Sequence, residues 1–353
     1  MRRVRSITLW CLCFASAGWV SGDRVGLAEE PPVVVAEDMA AHSLQPDDSS
    51  VRHWLVRTHG LGDPGAHVAD LQQLDVQLLA GDQWQLSTAT QLAESTRERT
   101  TVIYIHGNRG SDGEAIERGM RIGATLAARD GCPPLQMVIW SWPSAQVQRG
   151  RRDFLIKAER ADTEAWYLSA LLDQFPVGVD VGLIGYSYGA RVVTGAMHWI
   201  AGGEFEGRTF ASLAGPSLPL ESSSLIATTA THSPDRHSGR YRIALLAPAI
   251  HQDWLATHGC HREAFRSTAR LLLLYNTCDP ALRWYRFVYR CEKPEAVGKW
   301  GLPSEWLGPW SDRVDQWDVA PVIGKTHDED AYLGAAWITG QIGDTLLGLP
   351  AAD

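Results

Sequence analysis

Thr101 to Ile105 is an unbroken run of apolar and β-branched residues ending at His106-Gly107. Such a run predicts a strand buried on both faces of a parallel sheet. Glu114 to Arg129 then carries apolar residues at helical spacing, Met137 to Trp140 is a second short buried strand, and Arg151 to Phe175 is a long helical stretch. Val181 to Ile184, Arg242 to Ala247 and Leu271 to Tyr275 read as further strands, with helices at Ala190 to Ile200 and Arg262 to Thr268. Asp318 to Ile323 is strand-like, and Ala331 to Leu347 reads as a closing helix. Upstream, His53 to Thr58 and Leu74 to Leu86 are strand-like with Gly-rich breaks between them, which predicts an antiparallel pair at the start of the sheet. Strand and helix alternating in this way predict an α/β fold with a mostly parallel central sheet and helices on both faces.

Two stretches interrupt the alternation. Residues 202–239 are rich in Ser, Thr, Pro and His, and residues 284–317 carry Trp284, Trp300, Trp306, Trp310 and Trp317. Both follow elements whose ends face the carboxyl edge of the sheet, where ligands bind in open α/β folds. The tryptophans either pack an irregular insertion or form a lid or pocket wall for an apolar group.

Before the first strand the pattern changes character. Arg2, Arg3 and Arg5 precede an apolar run from Ile7 to Val20 and then small or polar residues, the order of a secretory signal peptide. The run is shorter than the roughly 20 residues that span a bilayer, so the expectation is export to the periplasm or the exterior without a stable membrane span. Cleavage after Ala17 or Ala28 fits, and neither Cys11 nor Cys13 follows the small residues of a lipoprotein processing site. The predicted organisation is a signal segment over 1–28, a flexible leader over 29–50 and one folded domain over 51–353.

Composition narrows the partners. The 353 residues are 45% hydrophobic, enough for a large core, and the net charge of −9 offers no basic excess for a phosphate backbone. Nucleic acid is therefore not expected, and the same balance argues against a cationic membrane-surface patch. Beyond the export segment, Cys132, Cys260, Cys278 and Cys291 permit a disulfide, with Cys260 and Cys291 the pair considered, or buried free thiols. No Cys-x-x-Cys or His-Glu-x-x-His spacing occurs, so no metal site is expected.

The residues that carry chemistry lie at strand ends. Gly185-Tyr186-Ser187-Tyr188-Gly189 follows a predicted strand and precedes a predicted helix, the context of a nucleophile elbow. There a strained turn lifts the serine Oγ clear of the sheet, and the following helix N-terminus favours negative charge beside it. A serine needs a base in reach and an acid to orient that base, and in such folds they follow in the order Ser, acid, His. Asp279, just after the Leu271 strand, and His327, in the loop before the last helix, fit this order. Asp253 is the rival acid, and Asp328 reads as an acid at a helix N-terminus. The backbone N–H groups of Asn108 and Tyr188 are the expected oxyanion donors, while His106 is expected to brace its loop.

Several stretches together resemble an uncharacterised bacterial α/β-hydrolase family catalogued as domain of unknown function 900. They are Tyr104-Ile105-His106-Gly107-Asn108, Trp140-Ser141-Trp142-Pro143-Ser144, the helix containing Asp153, the Ser187 elbow, Leu246-Ala247-Pro248, and Asn276 to Leu282. The resemblance covers most of the chain after about residue 50 and implies an α/β-hydrolase fold with a Ser187, Asp279, His327 triad, without naming a substrate. Tyr186 and Tyr188 stand where related sequences more often have His and Met, and Ala249-Ile250-His251 replaces a stretch that is often acidic. The expected function is hydrolysis of a carboxylic ester or related acyl compound by an exported serine hydrolase that needs no cofactor. The alternative is a non-catalytic exported binding protein on the same scaffold. The sequence leaves the oligomeric state open.

Overall fold

The computed structural model describes residues 51–62, 71–205, 208–209, 233–290 and 292–349. The expected signal segment and leader lie outside the described residues, as do Cys291 and residues 210–232 of the first insertion. Cys260 carries no disulfide.

Nine strands form one sheet. β1 (Val51–Arg57), β2 (Asp75–Ala80) and β3 (Gln83–Ser87) begin it, followed by β4 (Thr100–Ile105), β5 (Leu135–Ser141) and β6 (Val181–Tyr186). A separate hairpin, β7 (Glu204–Phe205) with β8 (Arg208–Thr209), precedes β9 (Tyr241–Leu246), β10 (Thr268–Tyr275) and β11 (Val314–Asp318). The order across the main sheet is β11-β10-β9-β6-β4-β5-β1-β2-β3. From β11 to β1 every pairing is parallel, and β2 and β3 extend the edge as an antiparallel meander. The central strands are fully covered, with burial unbroken along β5 and β6, which explains their continuous apolar runs.

Helices cover both faces, after a short α1 (Ala89–Ser95) in the connection from β3 to β4. Neighbouring residues of β5 point to opposite sides of the sheet. Ile139 meets Gly119 of α2 (Asp112–Ala127), whereas the Trp140 indole donates to buried Glu164 of α3 (Arg151–Gln174) at 2.9 Å. α4 (Tyr188–Ile200) packs along α3. α2 begins with a capping box, Ser111 Oγ accepting from the Glu114 N–H while the Glu114 carboxylate accepts from the Ser111 N–H. The chain closes with α5 (Glu329–Gly334) and α6 (Ala336–Leu347), separated by Ala335 in extended conformation. This is the α/β-hydrolase fold.

Two expectations need correction. Asp318 to Ile323 is not a strand: Pro321 sits in the first turn of a short helix at Ala320–Ile323, where its missing N–H costs nothing. The last strand is β11, inside the stretch read as an insertion. The expected closing helix over Ala331 to Leu347 is two helices.

Candidate active site

The connections leave β4 and β6, adjacent in the sheet, in opposite directions, and the crevice forms at this switch point. Ser187 follows β6 as the residue before α4, with φ 52° and ψ −113°, a backbone rarely adopted by a residue bearing a Cβ. Neighbours hold it there. The Ser187 N–H donates to the Leu246 carbonyl at 2.9 Å, and the Ser187 carbonyl accepts from the Ala249 N–H at 3.1 Å. The Leu246-Ala247-Pro248 motif thus clamps the elbow. The flanking glycines are required: a Cβ on Gly185 would sit 2.7 Å from Ala190 Cα, and one on Gly189 only 2.1 Å from the Ile105 carbonyl oxygen.

Ser187 Oγ lies 3.1 Å from His327 Nε2, and His327 Nδ1 lies 2.6 Å from Asp279 Oδ2. Asp279 is fully buried, and its other oxygen accepts the Ala281 and Leu282 N–H groups at 2.8 Å each. A buried carboxylate needs such donors to remain charged. Asp253, the rival acid, is exposed. Asp328 caps α5 by accepting from the Asp330 N–H, as expected of an acid at a helix start.

Asn108, Tyr188, Ser187 and His327 line one cavity of about 480 Å³. Phe154, Leu282, Trp284, Tyr285 and Val288 make its wall largely apolar. Neither the Asn108 nor the Tyr188 backbone N–H donates to another group among the described residues, so both remain open to a ligand. The Asn108 loop is held by the Trp142-Pro143-Ser144 motif. The Trp142 indole donates to the His106 carbonyl at 2.9 Å, the Arg109 N–H donates to the Ser144 carbonyl at 2.9 Å, and Ser144 Oγ donates to the Gly110 carbonyl at 3.0 Å.

His106 braces this loop, as expected. Its Nδ1 is 2.8 Å from the Gly107 carbonyl and its Nε2 accepts the Trp142 N–H at 3.3 Å, a pattern that fits one neutral tautomer. Burial pushes its pKa down to about 4. Ser141 and Ser144 are buried and hydrogen-bonded to Asp112 and Gly110, so neither competes with Ser187.

Two positioning residues escaped the sequence reading. Asn276 is fully buried, and its amide donates to the Gly324 and Thr326 carbonyls at 2.9 and 3.1 Å, tying the end of β10 to the loop that carries His327. The Tyr186 hydroxyl donates to the His327 carbonyl at 2.6 Å. The only sequence signal was position: Asn276 stands three residues before Asp279 at the end of the Leu271 strand, and Tyr186 directly precedes Ser187. Of the tryptophans in the second insertion, Trp284 alone lines this cavity; Trp310 stacks on Phe265 and Trp317 packs against Trp337.

No family model matches the chain, and no curated protein does. Among solved structures, the chain is similar to esterase B from Lactobacillus rhamnosis inhibited by a tributyrin phosphonate, at 12% identity over 84% of this chain and 86% of that one, with a TM-score of 0.37. Acyl-protein thioesterase 2 from Zea mays matches at 12% identity over 69% and 94%, with a TM-score of 0.34. Thermogutta terrifontis esterase 2 phosphonylated by sarin matches at 12% identity over 83% and 98%, also with a TM-score of 0.34.

Proposed function

We propose that the protein is an exported serine hydrolase that cleaves a carboxylic ester or related acyl compound through an acyl-enzyme. The observation that carries this reading is the hydrogen-bonded chain from Ser187 through His327 to Asp279 at the wall of an apolar cavity. Ser187 Oγ attacks the carbonyl carbon while His327 Nε2 takes the hydroxyl proton. Asp279 holds the imidazole in the orientation that leaves Nε2 free to accept, and it offsets the charge of the imidazolium that forms. The Asn108 and Tyr188 N–H groups, with the α4 N-terminus behind them, stabilise the oxyanion. His327 then returns the proton to the leaving group, and water attacks the acyl-Ser187 ester by the same route. The chemistry uses only side chains and backbone of this chain, and kinship with the uncharacterised hydrolase family belongs to the same proposal. Export rests on the Arg2-Arg3-Val4-Arg5 start and the apolar run after it.

Covalent labelling by a fluorophosphonate, read by intact mass, tests the reading. One adduct on the wild type and none on Ser187→Ala is the expected result. Folded wild-type protein that takes no label would sink the hydrolase and favour a binding protein on this scaffold.

A further inference from the structure

Val288 lines the catalytic cavity, its carbonyl accepting from the Arg151 side chain at the start of α3, and the exposed Trp284 on the same wall stands at the cavity's mouth. The stretch around Val288 is unusual in two respects. First, it holds large aromatic side chains in water: Trp284 is 61% exposed, Phe287 54% and Trp300 52%. Trp284 lines the catalytic cavity and also a second one of about 340 Å³, whose wall includes Arg283, Arg286, Phe287, Lys299 and Trp300. Second, residues 282–300 expose four cations (Arg283, Arg286, Arg290, Lys293) against Glu292 and Glu295, while Lys299 is buried and donates to the Thr277 carbonyl, in a chain whose net charge is −9. Glu295 is occupied, pairing with Arg286 at 2.9 Å and accepting from the Trp300 indole at 3.1 Å. Arg283 has no acidic partner among the described residues.

We propose that this aromatic and cationic lip docks the protein on an anionic lipid surface, placing the mouth of the Ser187 cavity against the bilayer. Exposed rings clustered in one patch mark an interaction surface. Tryptophan and phenylalanine gain by entering the lipid interface, and flanking arginines gain from anionic headgroups. A soluble polyanion would be satisfied by the cations and would leave the rings in water. The acidic remainder of the chain is repelled by the same surface, which orients the lip toward it. The chain's total charge argued against a cationic patch because a sum over all residues conceals local segregation of sign. That acyl chains then pass from the bilayer to Ser187 rests on the hydrolase reading, whereas the docking itself does not.

Sedimentation of the full chain with phosphatidylcholine vesicles, with and without phosphatidylglycerol, tests the proposal. The wild type and Ser187→Ala should partition alike onto the phosphatidylglycerol vesicles, less onto the neutral ones, and less as salt rises. Arg283→Glu and Phe287→Ser should each lower the partition coefficient about tenfold, with unfolding midpoints confirming that both variants are folded. No partitioning of the wild type, or equal partitioning onto both kinds of vesicle, would overturn the proposal. Undiminished partitioning of Phe287→Ser would also overturn it, in favour of a soluble polyanion bound by the cations alone. Because Ser187→Ala is read in parallel, absent labelling of Ser187 would sink the hydrolase reading and leave the docking result standing.

Discussion

Asp279 reaches His327 with one oxygen and two backbone N–H groups with the other, so replacing it changes orientation before it changes shape. Asp279→Asn offers the imidazole an amide and favours the wrong tautomer. By analogy with the same change in serine proteases, kcat should fall by about 10⁴-fold with little change in KM. Steady-state kinetics on a soluble ester and the rate of fluorophosphonate labelling should fall together, and an Asp279→Asn enzyme that labels at the wild-type rate would remove Asp279 from the mechanism. Asn276 acts one step further out. Asn276→Leu leaves the Gly324 and Thr326 carbonyls without their donor and lets the His327 loop drift. A drop in kcat of roughly 10- to 100-fold is expected, since small misplacements of catalytic groups have that cost. At this scale the triad was legible because a serine on a strand-turn-helix corner fixes the order of its partners. Asn276 was not, because an asparagine after a strand has the look of a turn residue, and its two partners stand 48 and 50 positions away.

The elements depend on close approaches that sequence patterns carry only indirectly. The Gly189 contact brings α4 against the end of β4, so a methyl group there cannot be absorbed by a side-chain movement: the opposing atom is the Ile105 backbone oxygen. Gly189→Ala should destabilise the fold by about 3 kcal/mol, read as a lower urea midpoint, and should abolish labelling of whatever protein remains folded. An unchanged midpoint would show that β4 and α4 do not pack this closely. Buried elements such as β4, β5 and β6 were legible because unbroken apolar runs leave no other arrangement. β11 was hidden for the opposite reason. It is an edge strand, Val314-Asp315-Gln316-Trp317-Asp318, whose polar residues find partners across and beyond the sheet. Arg270 Nε donates to Asp315 at 2.7 Å, and the Gln316 amide holds both backbone groups of Leu302 at 2.9 Å. Half-exposed polar strands carry little hydrophobic signal, and the more apolar residues just after it drew the expectation downstream.

At the scale of the whole molecule, layers and strand order followed from the alternation of elements, whereas the distribution of charge and of buried titratable groups did not. Five histidines lie in the interior: His106, His198, His237, His251 and His261. Burial lowers His106, His198 and His251 to about 4, takes His261 well below its ordinary value and also depresses His237. His261 stacks near His198, with ring centroids 6.0 Å apart, so charging either would place a cation against its neighbour. A histidine whose folded pKa is depressed binds its proton more readily in the unfolded chain. Its neutral form therefore supports the fold above pH 6.5, and that support is lost as pH falls from 6.5 toward 4. Glu329 acts in the other direction, because burial raises it to about 7: it favours the fold at low pH and loses that contribution as pH rises from 4.5 through 7. Buried Glu164, also raised by burial, has the same sign. Five groups outweigh two, so urea midpoints should be level above pH 7 and decline steadily between pH 6.5 and 4.5. A midpoint that stays level or rises over that interval would mean that the histidines are not held neutral inside the fold. The two carboxylates supply the internal control, since Glu329→Gln removes an opposing contribution and should steepen the decline.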